Sequence, residues 1–78
     1  MQILSTKLRA KLKASGYKSI AIDSYGKLWA YMAPADRIEL EPYGYVVEAS
    51  STFEARLILT IDPITMEGID WAKTLKAL

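Results

Sequence analysis

Glu39 and Glu41 stand two positions apart in "DRIELE", with Asp36 three positions ahead of the first. On a strand, residues two apart share a face, so this pair could serve as general acid and base, or hold a Mg²⁺ ion together with Asp36. Alternating acids on an exposed strand also form a solvated face that discourages edge pairing, and that simpler role accounts for them. The chain contains no histidine and no cysteine. A histidine base, a thiolate nucleophile and the usual structural zinc ligands are therefore excluded. The glycines at 16, 26, 44 and 68 stand alone, without the spacing of a phosphate-binding loop. The residue types point to a protein that is not an enzyme and needs no metal or other cofactor.

Binding is the chemistry that remains. "SYGKLWAY" sets Tyr25, Lys27, Trp29 and Tyr31 around one glycine, and Tyr43 stands beside Gly44 in a second Tyr-Gly pair. Tyrosine and tryptophan are enriched at interface hot spots, so these five residues form the candidate interaction surface. Charge is divided along the chain although the total is only +1. Residues 1–30 carry Lys7, Arg9, Lys11, Lys13, Lys18 and Lys27 against Asp23, whereas residues 31–70 carry two arginines against eight acids. A basic pole and an acidic body can join head to tail or meet different partners. The expected function is a small protein-interaction module, an adaptor or inhibitor, whose partner is another protein. The alternative is nucleic-acid binding by Lys7, Arg9, Lys11, Lys13 and Lys18 together with the Trp29 and Tyr31 face, although no RNP-like pattern is present.

Seventy-eight residues, 51% of them hydrophobic, make one small domain with too little interior to hide every apolar side chain, so a homodimer is expected. No apolar run approaches the ~20 residues that cross a bilayer, and charges occupy the place of a signal peptide's apolar centre. A soluble, cytoplasmic protein is the reading.

The elements that position these residues follow from periodicity. Leu4, Leu8 and Leu12 repeat every four residues, the stripe of an amphipathic helix stopped by Gly16. "KSIAID" and "KLWAYM" form a hairpin. A three-residue loop, Ser24-Tyr25-Gly26, with Gly26 left-handed, sets Ile22 opposite Leu28 and Ala21 opposite Trp29. A two-residue loop would slip the register by one and require positive φ at Tyr25, which a bulky residue resists. The three-residue loop puts Ile20, Ile22, Leu28, Ala30 and Met32 on one face and leaves Trp29 and Tyr31 on the other, to be covered by a helix or by another molecule.

Ala33-Pro34 breaks that strand, and "RIELEPYGYVV" is read as a second hairpin. Its expected loop is Pro42-Tyr43-Gly44, with Leu40 opposite Val46 and Gly44 left-handed. "TFEARLILTI" alternates as a long strand, in which Ile58 interrupts the polar side and marks a contact with a helix or a second subunit. Its rival is a short helix opened by Ser51 and Glu54. Asp62 and Pro63 then open a closing helix with Ile69, Ala72 and Leu75 in line and Gly68 inside it. The fold class is α+β: a terminal helix at each end of a mostly antiparallel sheet of four to five strands.

Overall fold

The computed structural model describes residues 5–48 and 53–78. Its elements are helix α1 (Thr6–Ala14), strands β1 (Ser19–Ile22), β2 (Lys27–Tyr31), β3 (Ile38–Glu41), β4 (Gly44–Val47) and β5 (Ala55–Thr60), the one-turn helix α2 (Pro63–Met66) and strand β6 (Lys76–Ala77). The fold is α+β. One antiparallel sheet has the order β5-β2-β1-β6, and β3 and β4 form a second, two-stranded sheet.

Helix α1 starts where the Ser5 hydroxyl accepts the Leu8 N–H at 3.1 Å. It stops at Gly16, whose φ of +96° lets Tyr17 N–H reach back to the Leu12 carbonyl at 3.1 Å. Leu8 and Leu12 then dock on the sheet face formed by Ile20, Ile22, Leu28 and Ala30. Leu4, the first member of the stripe, lies outside the described residues, as does Ser51.

The first hairpin has the expected register, with Ile22 opposite Leu28, Ala21 opposite Trp29 and Ser19 opposite Tyr31. Gly26 takes φ +78°. The second hairpin does not follow its expectation. Leu40 faces Tyr45 rather than Val46, Gly44 pairs with Glu41, and only Pro42 and Tyr43 form the loop. Gly44 is not left-handed. It is required for proximity instead, because a Cβ there would lie 3.0 Å from the Cβ of Asp23.

That hairpin packs over the second face of the first sheet. Ile38, Tyr45 and Val47 meet Ala21, Trp29, Tyr31 and Ala33 there, so a sheet of the same chain, rather than a helix or another molecule, covers these aromatics. Ser19 is fully buried between the layers, and its hydroxyl donates to the Ala33 carbonyl at 2.7 Å. Strand β5 carries a bulge: Leu28 faces Leu59 and Trp29 faces Leu57, which leaves Ile58 as the extra residue. Ile58 and Leu59 thereby both reach the α1 side of the core. The irregular position in the alternation marks this bulge, and Ile58 makes its contact on the side of the core where α1 packs.

The closing helix is shorter than its sequence pattern suggests. The Asp62 carboxylate caps it by accepting both the N–H and the hydroxyl of Thr65 at 2.9 and 2.7 Å, which holds the Asp62 carboxyl below the usual carboxylate range. After Met66 the chain leaves the α-helix, forms a 3₁₀ turn at Trp71–Lys73 and ends as β6. Gly68 is a poor helix residue, and the free edge of β1 offers backbone partners that a continued helix could not use. Ala77 and Lys76 pair with Ser19 and Ile20, and Thr74 Oγ1 accepts the Ile22 N–H at 2.9 Å in place of a further strand residue. Arg9 of α1 fastens the end by donating to the Ala77 carbonyl at 2.9 Å.

Candidate functional site

Two hairpin tips meet beside an open cleft at the surface. Asp23 builds the first tip. One carboxylate oxygen accepts the backbone N–H groups of Tyr25 and Lys27 at 2.9 and 3.0 Å, and the other accepts the indole N–H of Trp29 at 3.0 Å. Asp23 thus uses its charge on the turn itself. The second tip is locked to the first because both the N–H and the hydroxyl of Ser24 donate to the Tyr43 carbonyl, at 3.0 and 2.8 Å.

This junction places the Tyr25 and Tyr43 rings side by side, with centroids 6.4 Å apart and planes inclined by 32°. Each residue is 68% exposed. On the inner flank of Tyr25 an open cleft of about 400 Å³ is lined by Gly26, Ile61, Pro63, Met66, Ile69 and Trp71 among others. Trp71 is one of the lining residues and is itself held by Tyr45, whose ring meets it edge-on at 6.2 Å and whose hydroxyl donates to the Trp71 carbonyl at 3.1 Å. Beside the cleft, on α2, Ile64 is 81% exposed. The lining is mainly apolar, with Tyr25 contributing a phenol ring, and has the chemistry of a pocket for an apolar side chain.

The five residues expected to form one interaction surface are therefore divided. Tyr25, Tyr43 and the exposed Lys27 remain at the surface, Trp29 is half-buried with its N–H engaged, and Tyr31 is only 3% exposed. Tyr31 belongs to the core because the three-residue loop turns it toward the face that the second hairpin covers. Burial, then the Asp23 charge, then Tyr45 push its phenol pKa up to about 12.

The raised value has a consequence for stability. Between pH 10 and 12 the unfolded chain gives up this proton while the folded protein keeps it. Stability is complete below the unfolded pKa and falls as the pH rises to the folded one, by about 2 kcal/mol over that window. Urea midpoints measured from pH 9 to 12 should show this decline, and the decline should be smaller by that amount in Tyr31→Phe. Equal slopes in the two proteins would disprove it.

The basic residues Lys7, Arg9, Lys11, Lys13 and Lys18 are exposed. Helix α1, however, packs on the sheet face opposite the one that carries Trp29 and Tyr31. The two halves of the nucleic-acid surface are not brought together. Glu39 and Glu41 are exposed on β3, and among the described residues no three acidic side chains gather into a metal-binding group. No helix in the described residues is long and apolar enough to cross a membrane.

The cleft beside Tyr25 was not legible in the sequence. Its walls come from residues 24–26 and 61–71, and the signal that joins them is the ladder continuing past β5, where Ile61 N–H donates to the Gly26 carbonyl at 2.7 Å. Compared with known proteins, the chain matches no family model, no curated protein and no solved structure.

Proposed function

We propose that this protein is a small, non-enzymatic interaction module of the cytoplasm, and that Tyr25 and Tyr43 anchor its partner, another protein. The exposed tyrosine pair carries this reading. Turn chemistry asks for small or polar residues at such positions. Here two aromatic rings, eighteen positions apart in sequence, are instead held together in solvent by the Ser24 bonds to Tyr43. Two rigid rings next to an apolar cleft lose little conformational freedom on docking and offer large contact area. The matching partner segment presents an apolar side chain to the cleft and hydrogen-bonding groups to the phenols. The absence of cysteine suits a reducing compartment.

The test is quantitative capture from lysate, with and without nuclease treatment, with the wild-type protein and with Y25A/Y43A. The expected result is a protein partner whose recovery falls by more than about tenfold in the double variant, at an unchanged melting temperature. Equal recovery with both proteins would overturn the reading. Recovery of nucleic acid alone, lost at high salt and on neutralising Lys7, Lys11 and Lys13, would transfer the function to α1.

A further inference from the structure

Strand β5 is an outer strand of the four-stranded sheet, and its far side has no strand partner among the described residues. The backbone groups on that side can be assigned. Met32 N–H donates to the Glu54 carbonyl at 2.9 Å, and Ile61 N–H donates to the Gly26 carbonyl at 2.7 Å. Even-numbered residues of β2 therefore hydrogen-bond toward β5, and Glu54, Arg56, Leu59 and Ile61 hydrogen-bond back. Phe53, Ala55 and Leu57 consequently turn their N–H and C=O groups outward. Their side chains lie on the face of Trp29 and Tyr31, since Leu57 is opposite Trp29 and Ala55 opposite Tyr31.

Natural edges of this kind are blunted by inward charges, proline or a covering loop. This one is apolar on one face, with Phe53 45% and Leu57 42% exposed. On the other face it carries only Glu54 and Arg56, two positions apart and of opposite charge. That spacing is self-complementary.

We propose that the edge formed by residues 53–57 pairs antiparallel with the same edge of a second copy of this chain, about a two-fold axis through Ala55. In this register Ala55 faces Ala55 of the second copy with both sets of outward backbone groups bonded. Glu54 faces the second copy's Arg56, and Arg56 its Glu54, which makes two opposite-charge pairs on one face. Phe53 and Leu57 face one another across the seam on the other face, so the largest exposed apolar groups of the edge cover each other. The two sheets become one of eight strands.

Neighbouring registers fail on charge or geometry. An axis through Arg56 sets arginine against arginine, and one through Glu54 sets glutamate against glutamate. An axis through Leu57 must run the ladder across the bulge at Ile58, where the alternation of backbone groups is broken. The bulge thus ends the pairing edge and selects the register. This edge is separate from the tyrosine pair, and its test is independent of the partner assay.

The experiment is sedimentation equilibrium over a wide range of protein concentration at low salt. The wild type should be a dimer. Each single reversal, Glu54→Arg or Arg56→Glu, puts two like-charge pairs at the seam and should weaken dimerisation by about tenfold or more. The double reversal E54R/R56E should restore it. Ala55→Pro removes an N–H that points away from β2, and should leave a folded monomer. A monomer at every concentration would overturn the proposal. So would a dimer that is indifferent to the single reversals or is not rescued by the double one.

Discussion

Replacing Asp23 with alanine is expected to destabilise the protein by about 3 kcal/mol and to free both hairpin tips. The carboxylate accepts from Tyr25 N–H, Lys27 N–H and Trp29 Nε1, and hydrogen bonds to a charged acceptor contribute ~1.5–3 kcal/mol each. The sum is smaller than three such terms, because water can replace the acceptor at the exposed turn N–H groups. It cannot do so as readily at the indole of Trp29, which is packed beneath the second hairpin. Asp23→Asn separates the two contributions. Its amide oxygen can still accept from the turn, but its NH₂ then meets the indole N–H donor to donor. An intermediate loss of about 1–2 kcal/mol is expected, with a shift in tryptophan fluorescence in both variants. Urea unfolding followed by fluorescence measures each quantity. A cost below about 1 kcal/mol for the alanine variant would show that the turn is held by its backbone alone.

Gly26→Val should cost about 3 kcal/mol, the second large effect. Two terms add at this position. At φ +78° a side chain pays ~1–2 kcal/mol for the left-handed conformation. A Cβ would also lie 3.1 Å from the Ile61 carbonyl and from Met66 Cγ, and a valine adds two methyl groups to that crowding, worth ~1–3 kcal/mol. Gly16 provides the internal comparison, because its φ is +96° but nothing stands within 4 Å of the position a Cβ would take. Gly16→Ala should therefore cost only about 1 kcal/mol. Gly26→Ala should cost more than Gly16→Ala, the difference reporting the contact that forms the floor of the cleft. Chemical denaturation of the three variants decides the matter, and equal costs for the two alanine variants would mean that Met66 moves aside freely.

The first hairpin shows how far short-range chemistry reaches. "SYG" between two β-prone runs permits two registers, and the steric cost of positive φ at Tyr25 is enough to choose the observed one. Helix α1 and the strand at β5 were also legible, from a four-residue leucine repeat and from an alternation that holds up to the bulge at Ile58, beyond which Leu59 turns to the other face. The second hairpin misled for a physical reason. A Tyr-Gly pair after proline looks like the first turn, but Gly44 is there because the Cβ of Asp23 sits against it. Tertiary proximity and turn geometry select the same residue type, and the sequence does not distinguish them. At the candidate site, Tyr25 and Tyr43 were identified individually from their residue type and turn position. That they stand 6.4 Å apart follows from long-range bonds between Ser24 and Tyr43, which local patterns do not contain.

By itself the sequence determined an α+β chain with an N-terminal helix, a first hairpin of known register and a long alternating strand, since each depends on periodicity or on the φ demands of one turn. It also removed histidine- and cysteine-based chemistry by composition. Only the tertiary structure decided which faces are covered. It brought the second hairpin over Tyr31, turned the C-terminal residues from helix into the edge strand β6, and left the tyrosine pair exposed and the β5 edge without a strand partner among the described residues. Burial of a face depends on which other element satisfies its backbone and apolar groups, and that competition is settled among segments distant in sequence.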